Sequence, residues 1–519
     1  MKFQRNPDVI FVAAIGLAMF AGVWLRWSGM DSQSLWADEG YTLWITQFSP
    51  KEVWRILQAD TSPPLYYILL HYWRTLFGNS ELSLRALSAL FGSLSIPLFY
   101  LIARKILATR MSVALAMMLY SVSFFQVWYA KEARFYALLV FLSLGSVYFA
   151  LLCLEKASAL RLVGLALVLS ASLYTHNMAW FYLPGLVVFW FVYPSEITTG
   201  ARIRNGLIVA AVALFLYIPW LPSLAQQMRM VHNFLGLSKP RARNLLETLC
   251  ILSGFDTRTF QDVFRDHFHT QRLFGFWTWA PAFLIVFVLC VIGTLYAVRS
   301  GDRSKGIALL VYSVLPILLV FLDSHLWTPI YIDRTFTGSC VLIPLILCAP
   351  IAFQVGNRKK MFQFIALSVL LGTAASAFGY LRRERKEDWR GVTEYLLKLP
   401  ERPRLVVVVL DYCQVLVHYY ATGSFKIYPP IEITGLRTKF NPPEPGFEDA
   451  INEDERTVEP MAIVSRAMDS GQYKEIDFAL QPTAPPVKAL TDYLAAHCGS
   501  VEIAEFHWLE VRRCFVRSK

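Results

Sequence analysis

Two adjacent carboxylates, Asp38 and Glu39, stand in the stretch Leu35-Trp36-Ala37-Asp38-Glu39-Gly40-Tyr41, soon after the first long apolar run of the chain. A carboxylate beside hydrocarbon is costly unless something pairs with it or uses it. Two readings account for the pair. One is a general base that takes a proton from an attacking hydroxyl. The other is a helix start, with Asp38 as the N-cap and Glu39 favouring the positive end of the helix. Neighbours on a helix diverge by about 100°, so one carboxylate would serve a given spot while the other bonds an arginine or the backbone.

Cations at comparable positions suggest an anionic ligand. Lys131 and Arg134 are three apart in Trp128-Tyr129-Ala130-Lys131-Glu132-Ala133-Arg134-Phe135-Tyr136, and on a helix they share a face. They read as a phosphate clamp, or as interfacial side chains with Glu132 offsetting one charge. Arg334, in Tyr331-Ile332-Asp333-Arg334, is either a further cation for the same anion or half of an Asp-Arg pair. His176-Asn177 could hydrogen-bond a sugar or hold its two flanking helices together, and the packing role is the simpler one. Asp266-His267-Phe268-His269 is a weak metal pattern, and no CxxC occurs, so neither a metal nor a cofactor is expected. No GxxxxGK[ST], GxGxxG or GxSxG is present, which leaves nucleotide hydrolysis and serine-hydrolase chemistry without support.

The elements that must position these groups are apolar. Of 519 residues, 55% are hydrophobic and only 17% charged, below the quarter typical of soluble domains. Runs near the ~20 residues that a spanning helix needs occur at 9–25, 84–103, 111–128, 136–154, 162–175, 178–193, 205–222, 278–298, 306–322, 337–354 and 361–379. The chain therefore reads as a polytopic α-helical membrane protein of about eleven spans. Arg26 and Trp27 follow the first run without a cleavage pattern, so it reads as an uncleaved helix.

Lysines and arginines sit in alternate turns: Arg104, Lys105 and Arg110; Lys156 and Arg161; Arg202 and Arg204; Arg299, Arg303 and Lys305; Arg358, Lys359 and Lys360. Positive residues favour the cytoplasmic side, which puts the N-terminus inside a plasma (inner) membrane and everything after residue 380 outside. The net charge of +11 is a topology signal, spread over many turns, and gives no case for nucleic acid as a partner. Two long external loops, 26–83 and 223–277, carry apolar stretches too short to cross. Leu65–Trp73 after Asp60-Thr61-Ser62-Pro63-Pro64, Glu39–Trp44, and Pro240–Ile251 read as helices lying in the membrane interface. Ser62 or Asp60 is the expected cap of the first of these.

The composition divides the chain into a transmembrane domain, 1–380, and an external (periplasmic) α/β domain, 381–519. In the latter, Arg404–Leu410 reads as a buried strand, Gln414–Tyr420 and Val487–His497 as helices, Val501–Val516 as a hairpin, and 421–485 as mostly loop. Cys153, Cys290, Cys340 and Cys348 belong to spans as small apolar residues, while Cys498 and Cys514 are placed to bridge across the hairpin.

Taken in order, Leu35-Trp36-Ala37-Asp38-Glu39, Asp60-Thr61-Ser62-Pro63-Pro64-Leu65-Tyr66-Tyr67 and Tyr129-Ala130-Lys131-Glu132-Ala133-Arg134-Phe135-Tyr136 resemble motifs of the GT-C class of bacterial membrane glycosyltransferases. These are relatives of the protein O-mannosyltransferases and of the aminoarabinose transferase that modifies lipid A. Lys386-Glu387-Asp388-Trp389-Arg390 is similar to the segment after the last span in many of them. The resemblance covers residues 30–380, while the tail matches in kind only. It implies a polyprenyl-phosphate-sugar donor, with Asp38 as the base that deprotonates an acceptor hydroxyl in an inverting transfer. Lys131, Arg134 and Arg334 would then serve the phosphate, with Asp60, Tyr66, Tyr129, Glu132 and His176 completing the substrate-binding set. The chain departs from the pattern at Ser62, where the family often has His, at Lys131, where it often has Gln, and at Asp333-Arg334-Thr335, where an Arg-Tyr pair is common. The acceptor, whether lipid A, another glycolipid, a polysaccharide or a protein, is not specified. A transporter or flippase of lipid-linked sugars is the alternative. It would predict charges at mid-membrane and related halves, and the charges here gather at the outer edge.

Overall fold

The computed structural model describes residues 7–234, 239–252, 288, 291, 303–352, 356–382, 386–399, 404–409, 413–422, 431–436, 460–470, 473, 475–482 and 487–516. The expected eighth span (278–298, except for two isolated residues) and the Asp266-His267-Phe268-His269 stretch lie outside them. The chain forms two compact units. One comprises Met1–Met30, Leu57–Gly78 and Arg85–Arg383; the other comprises Asp31–Ile56, Asn79–Leu84 and Glu384–Lys519.

The first unit is helical. Among the described residues, six helices are long and apolar enough to cross a bilayer: Asp8–Trp27, Glu81–Ile106, Tyr136–Glu155, Thr199–Arg229, Ser304–Leu326 and Lys359–Gly379. Arg110–Ser121 and Phe124–Ala130 make a seventh if their 45° bend lies within one span. Shorter apolar helices, Ala159–Thr175, Ala179–Val192 and Cys340–Ile351, occupy the positions of the fifth, sixth and tenth expected spans. Large apolar side chains such as Phe20, Phe215 and Phe364 are exposed on their outward faces, as lipid contact requires. At the bend, the amide of Phe124 donates to Thr373 Oγ1 (3.1 Å), satisfying a group freed by the helix break. Arg26 is fully buried. It donates to the carbonyls of Gly22 and Ser121, each at 2.9 Å, so one cation rests on the negative ends of two helices.

The second unit contains a five-stranded sheet of order β2-β1-β3-β5-β4, from β1 (Arg404–Val409), β2 (Ile431–Leu436), β3 (Glu475–Leu480), β4 (Cys498–Phe506) and β5 (Leu509–Val516). β1 pairs in parallel with β2 and β3, while β5 runs antiparallel to β3 and β4. The core joins Val407, Val409, Ile476, Phe478 and Leu480 of the sheet with Val464, Leu490 and Leu494 from helices. Cys498 and Cys514 form the expected disulfide.

The stretch 421–485, expected to be mostly loop, contains regular elements among its described residues. It supplies β2, the Pro460–Asp469 helix and the central strand β3. Every residue of β3 is buried, Glu475 and Asp477 included. Arg513 on β5 pairs with both, at 3.1 and 3.5 Å. A strand whose buried charges are matched from the next strand lacks the apolar run by which central strands are recognised.

Candidate active site

The acidic pair lies on the helix Ala37–Ile45, in the unit that also contains the C-terminal sheet. Asp38 is not the N-cap. That position is Trp36, which makes no side-chain cap bond. Glu387 substitutes, its Oε2 accepting from the amide of Ala37 at 3.2 Å, so the first orphan donor of the helix is satisfied by a carboxylate 350 residues away in sequence.

Glu39 and Asp38 diverge as helix geometry requires. Glu39 is fully buried and pairs with Lys386 at 3.0 Å, whereas Asp38 is half-buried. Glu387 also accepts from Trp389 Nε1 (2.6 Å) and from Gln481. Burial raises its pKa, bonds from Trp389 and Ala37 oppose the rise, and the charge of Asp38 adds to it. The rest of the segment is held by Arg390, which donates to Ser34 Oγ from its amide (3.1 Å), to the carbonyl of Asp31 (3.0 Å) and to Glu81. Tyr420 receives the amide of Leu35 at 2.7 Å and donates to Glu81. Gly40 faces Leu416, and a Cβ there would lie 2.8 Å from Leu416 Cγ.

The cations belong to the helical unit. Residues 131–135 are a turn between the helices Phe124–Ala130 and Tyr136–Glu155, so Lys131 and Arg134 do not share a helix face. Lys131 is buried and donates to the carbonyl of Ser28 at 2.5 Å. Arg134, also buried, donates to the phenol of Tyr67 at 3.2 Å. The carbonyl of Arg134 receives Ser88 Oγ at 3.0 Å, and Ser88 in turn bonds the fully buried Tyr66 at 2.8 Å. Tyr66 thus fixes the turn from beneath. Glu132 accepts from Trp128 Nε1 at 2.6 Å.

His176 caps the helix Ala159–Thr175 and packs edge-on against Phe135, with ring centroids 4.5 Å apart. Burial, and then the charges of Arg134 and Arg334, lower its pKa from 6.5 to about 3. It is neutral at physiological pH. Nδ1 accepts from the amide of Met178 at 2.9 Å, so the ring proton sits on Nε2. Asn177 ties this corner to the loop that carries Asp60, donating to the carbonyl of Thr61 and to Gln227, both at 2.9 Å. Thr61 Oγ1 contacts Asp60 Oδ1 at 3.4 Å. The loop's helix, Leu65–Phe77, has Pro64 at its N-cap with no side-chain bond, so neither Ser62 nor Asp60 caps it.

Arg334 lies on the 3₁₀ turn Asp333–Phe336 and is half-buried. Asp333 accepts from Thr248 at 2.9 Å. Tyr129 lies within electrostatic reach of Glu132, Arg334 and Asp333. The sequence-predicted residues Tyr129, Glu132, Arg134, His176 and Arg334 therefore come together in one unit, with Tyr66 supporting them and Asp38 and Glu39 belonging to the other unit. Among the described residues no group of three or more His, Cys, Asp or Glu is arranged to hold a metal. Lys386 and Glu387 were visible only as part of a motif; opposite charges next to the last span were the one signal of their role.

Residues 61–222 match the family model described as dolichyl-phosphate-mannose-protein mannosyltransferase. Two solved structures of ArnT from Cupriavidus metallidurans are similar over nearly the whole chain. The one bound to undecaprenyl phosphate is 12% identical with a TM-score of 0.58, covering 98% of each chain. The apo structure is 14% identical with a TM-score of 0.53, covering 98% of this chain and 97% of that one. The GT-C resemblance holds. The chain is a membrane protein with the GT-C glycosyltransferase fold. No curated protein sequence matches it.

Proposed function

We propose that this GT-C protein transfers a sugar from a polyprenyl-phosphate carrier to an acceptor hydroxyl on the outer face of the membrane, with inversion. Asp38 takes the hydroxyl proton as the oxygen attacks the anomeric carbon. The bond to the carrier phosphate breaks, and Arg134, Arg334 and Lys131 stabilise the charge that develops on it. Neutral His176 offers an Nε2–H donor beside these cations. The observation that carries the reading is the gathering of Arg134, Arg334 and His176 in a fold whose solved relative binds undecaprenyl phosphate.

Glu39, paired with Lys386, holds the helix and leaves Asp38 to do the chemistry. Basic turns on alternate sides support a cytoplasmic N-terminus and an external tail. The Cys498–Cys514 disulfide supports the same assignment, since disulfides persist in oxidising compartments.

The test is to incubate membranes containing the protein with labelled polyprenyl-phosphate sugars and endogenous acceptors. Transfer from one of them, lost in Asp38→Asn while carrier binding persists, is the expected result. Undiminished transfer by Asp38→Asn removes Asp38 as the base, and no transfer from any polyprenyl-phosphate sugar removes the donor assignment.

A further inference from the structure

Three segments of the helical unit meet around a cavity of about 480 Å³. They are the first turns of the helix Pro7–Trp27, the last turns of Glu81–Ile106 and the start of Arg110–Ser121. Two arginines line it, and each rests on an aromatic ring. The Arg104 guanidinium lies over Tyr100, 5.8 Å from the ring centre, and that of Arg110 lies over Phe11 at 6.0 Å. A ring face attracts a guanidinium but supplies no lone pair for its N–H donors. Asp8 is the one acid among the lining residues. It pairs with Arg110, the two side chains being 62% and 63% exposed. A pair so open to solvent is worth little and yields to a better anion.

A basic turn accounts for positive charge at this level, but it does not account for the cavity. Other basic turns show the alternative use of an arginine. Arg161 donates to the carbonyls of Leu152 and Lys156 at 2.6 and 2.9 Å, and Arg202 to those of Phe191 and Tyr193. Those cations close helix ends, whereas Arg104 and Arg110 border an open volume. The border is also apolar. Val12, which lines the cavity, is 67% exposed, and Met111, beside Arg110, is 52% exposed. A ligand suited to this place carries phosphate and hydrocarbon together.

We propose that the cavity binds the headgroup of an anionic phospholipid, with Arg104 and Arg110 donating to its phosphate and the acyl chains lying along Val12. The planar fork of arginine matches phosphate oxygens, and basic pockets between spanning helices take lipid headgroups. Asp8 sets the threshold, because the phosphate must displace it from Arg110. A zwitterionic lipid brings its own cation and gains less from the two arginines. The site owes nothing to the sugar chemistry proposed above, so it stands or falls without Asp38.

The test titrates the full-length protein in detergent with phosphatidylglycerol or phosphatidylcholine. Bound lipid is counted by native mass spectrometry, with melting temperature measured alongside. Phosphatidylglycerol is expected to bind about tenfold more tightly. The double variant Arg104→Gln/Arg110→Gln is expected to lose that preference. Arg104→Gln alone, which leaves the Asp8–Arg110 pair intact, is expected to reduce it. Lys359→Gln/Lys360→Gln deletes two charges from another basic turn and is expected to leave it unchanged. Asp8→Asn is expected to tighten phosphatidylglycerol binding several-fold.

Equal affinity for the two lipids overturns the inference. So does an equal loss in Lys359→Gln/Lys360→Gln, which would make the preference a matter of net charge. An Asp8→Asn protein that binds phosphatidylglycerol no more tightly than wild type also overturns it. Displacement of the lipid by glycerol 3-phosphate at the same concentration would overturn the lipid assignment in favour of a soluble phosphate ester.

Discussion

In the unit built from 31–56, 79–84 and 384–519, buried charges answer one another across the chain, whereas in the helical unit buried cations rest on neutral oxygens. Glu39 meets Lys386, and Arg513 meets Glu475 and Asp477. By contrast Arg26, Lys131 and Arg134 donate to carbonyls or a phenol. Arg202 likewise donates to the carbonyls of Phe191 and Tyr193 at 2.9 and 3.0 Å. Bonds of the first kind neutralise a charge, while those of the second orient a cation. The first fixes the acidic helix in place through Lys386 and Glu387. The second is what the phosphate role proposed above for Arg134 and Lys131 would draw on.

Four substitutions would break or sharpen that contrast. Asp38→Asn should lower the transfer rate by about 10³-fold, within the range for loss of a general base, with undecaprenyl phosphate binding unchanged in a direct binding assay. Lys386→Met should remove the cation paired with buried Glu39 and cost about 3–5 kcal/mol in unfolding free energy. The double change with Glu39→Gln should recover much of that loss, and failure to recover would mean the pair is not the matched unit described above. Arg334→Ala should reduce transfer by about 10²-fold, the effect of losing one stabilising group for a developing anion. Its effect on thermal stability should be small because Arg334 is half-buried.

The fourth concerns pH. His176 has a folded pKa near 3, below its unfolded value of 6.5, so the unfolded state binds the extra proton between these limits. Its contribution to stability is present above pH 6.5 and is lost as pH falls towards 3. Melting temperatures of His176→Gln should accordingly fall less steeply than wild type over that window. Parallel curves would show that His176 is not enclosed beside two arginines.

The helical unit was legible because its signals are local. Apolar length marks most spans, and the Tyr129–Tyr136 motif holds three of the clustered residues, Tyr129, Glu132 and Arg134, within eight positions. The sequence also separated Glu39 from Asp38 in principle, since adjacent helical side chains diverge, but it did not identify the partner. Lys386 and Glu387 act on residues some 350 positions earlier, and no periodicity reports such a distance. The expected helical face for Lys131 and Arg134 failed for a related reason. The helix stops at Ala130 and resumes at Tyr136, with the turn held by a bond from Ser88 and by the bond that Arg134 donates to Tyr67, both on other segments. β3 was missed because its acidic residues are buried against Arg513 from the neighbouring strand.

Residues 31–56 and 79–84 fold with the C-terminal unit although they precede most of the helical one in sequence. Anyone exchanging tails between relatives at residue 380 would therefore divide a compact unit. The transplant must carry the two early segments with the tail, or Lys386 and Glu387 of one parent will meet the acidic helix of another. The unit of exchange is discontinuous, and a plain C-terminal fusion is expected to leave the acidic helix without its own Lys386 and Glu387.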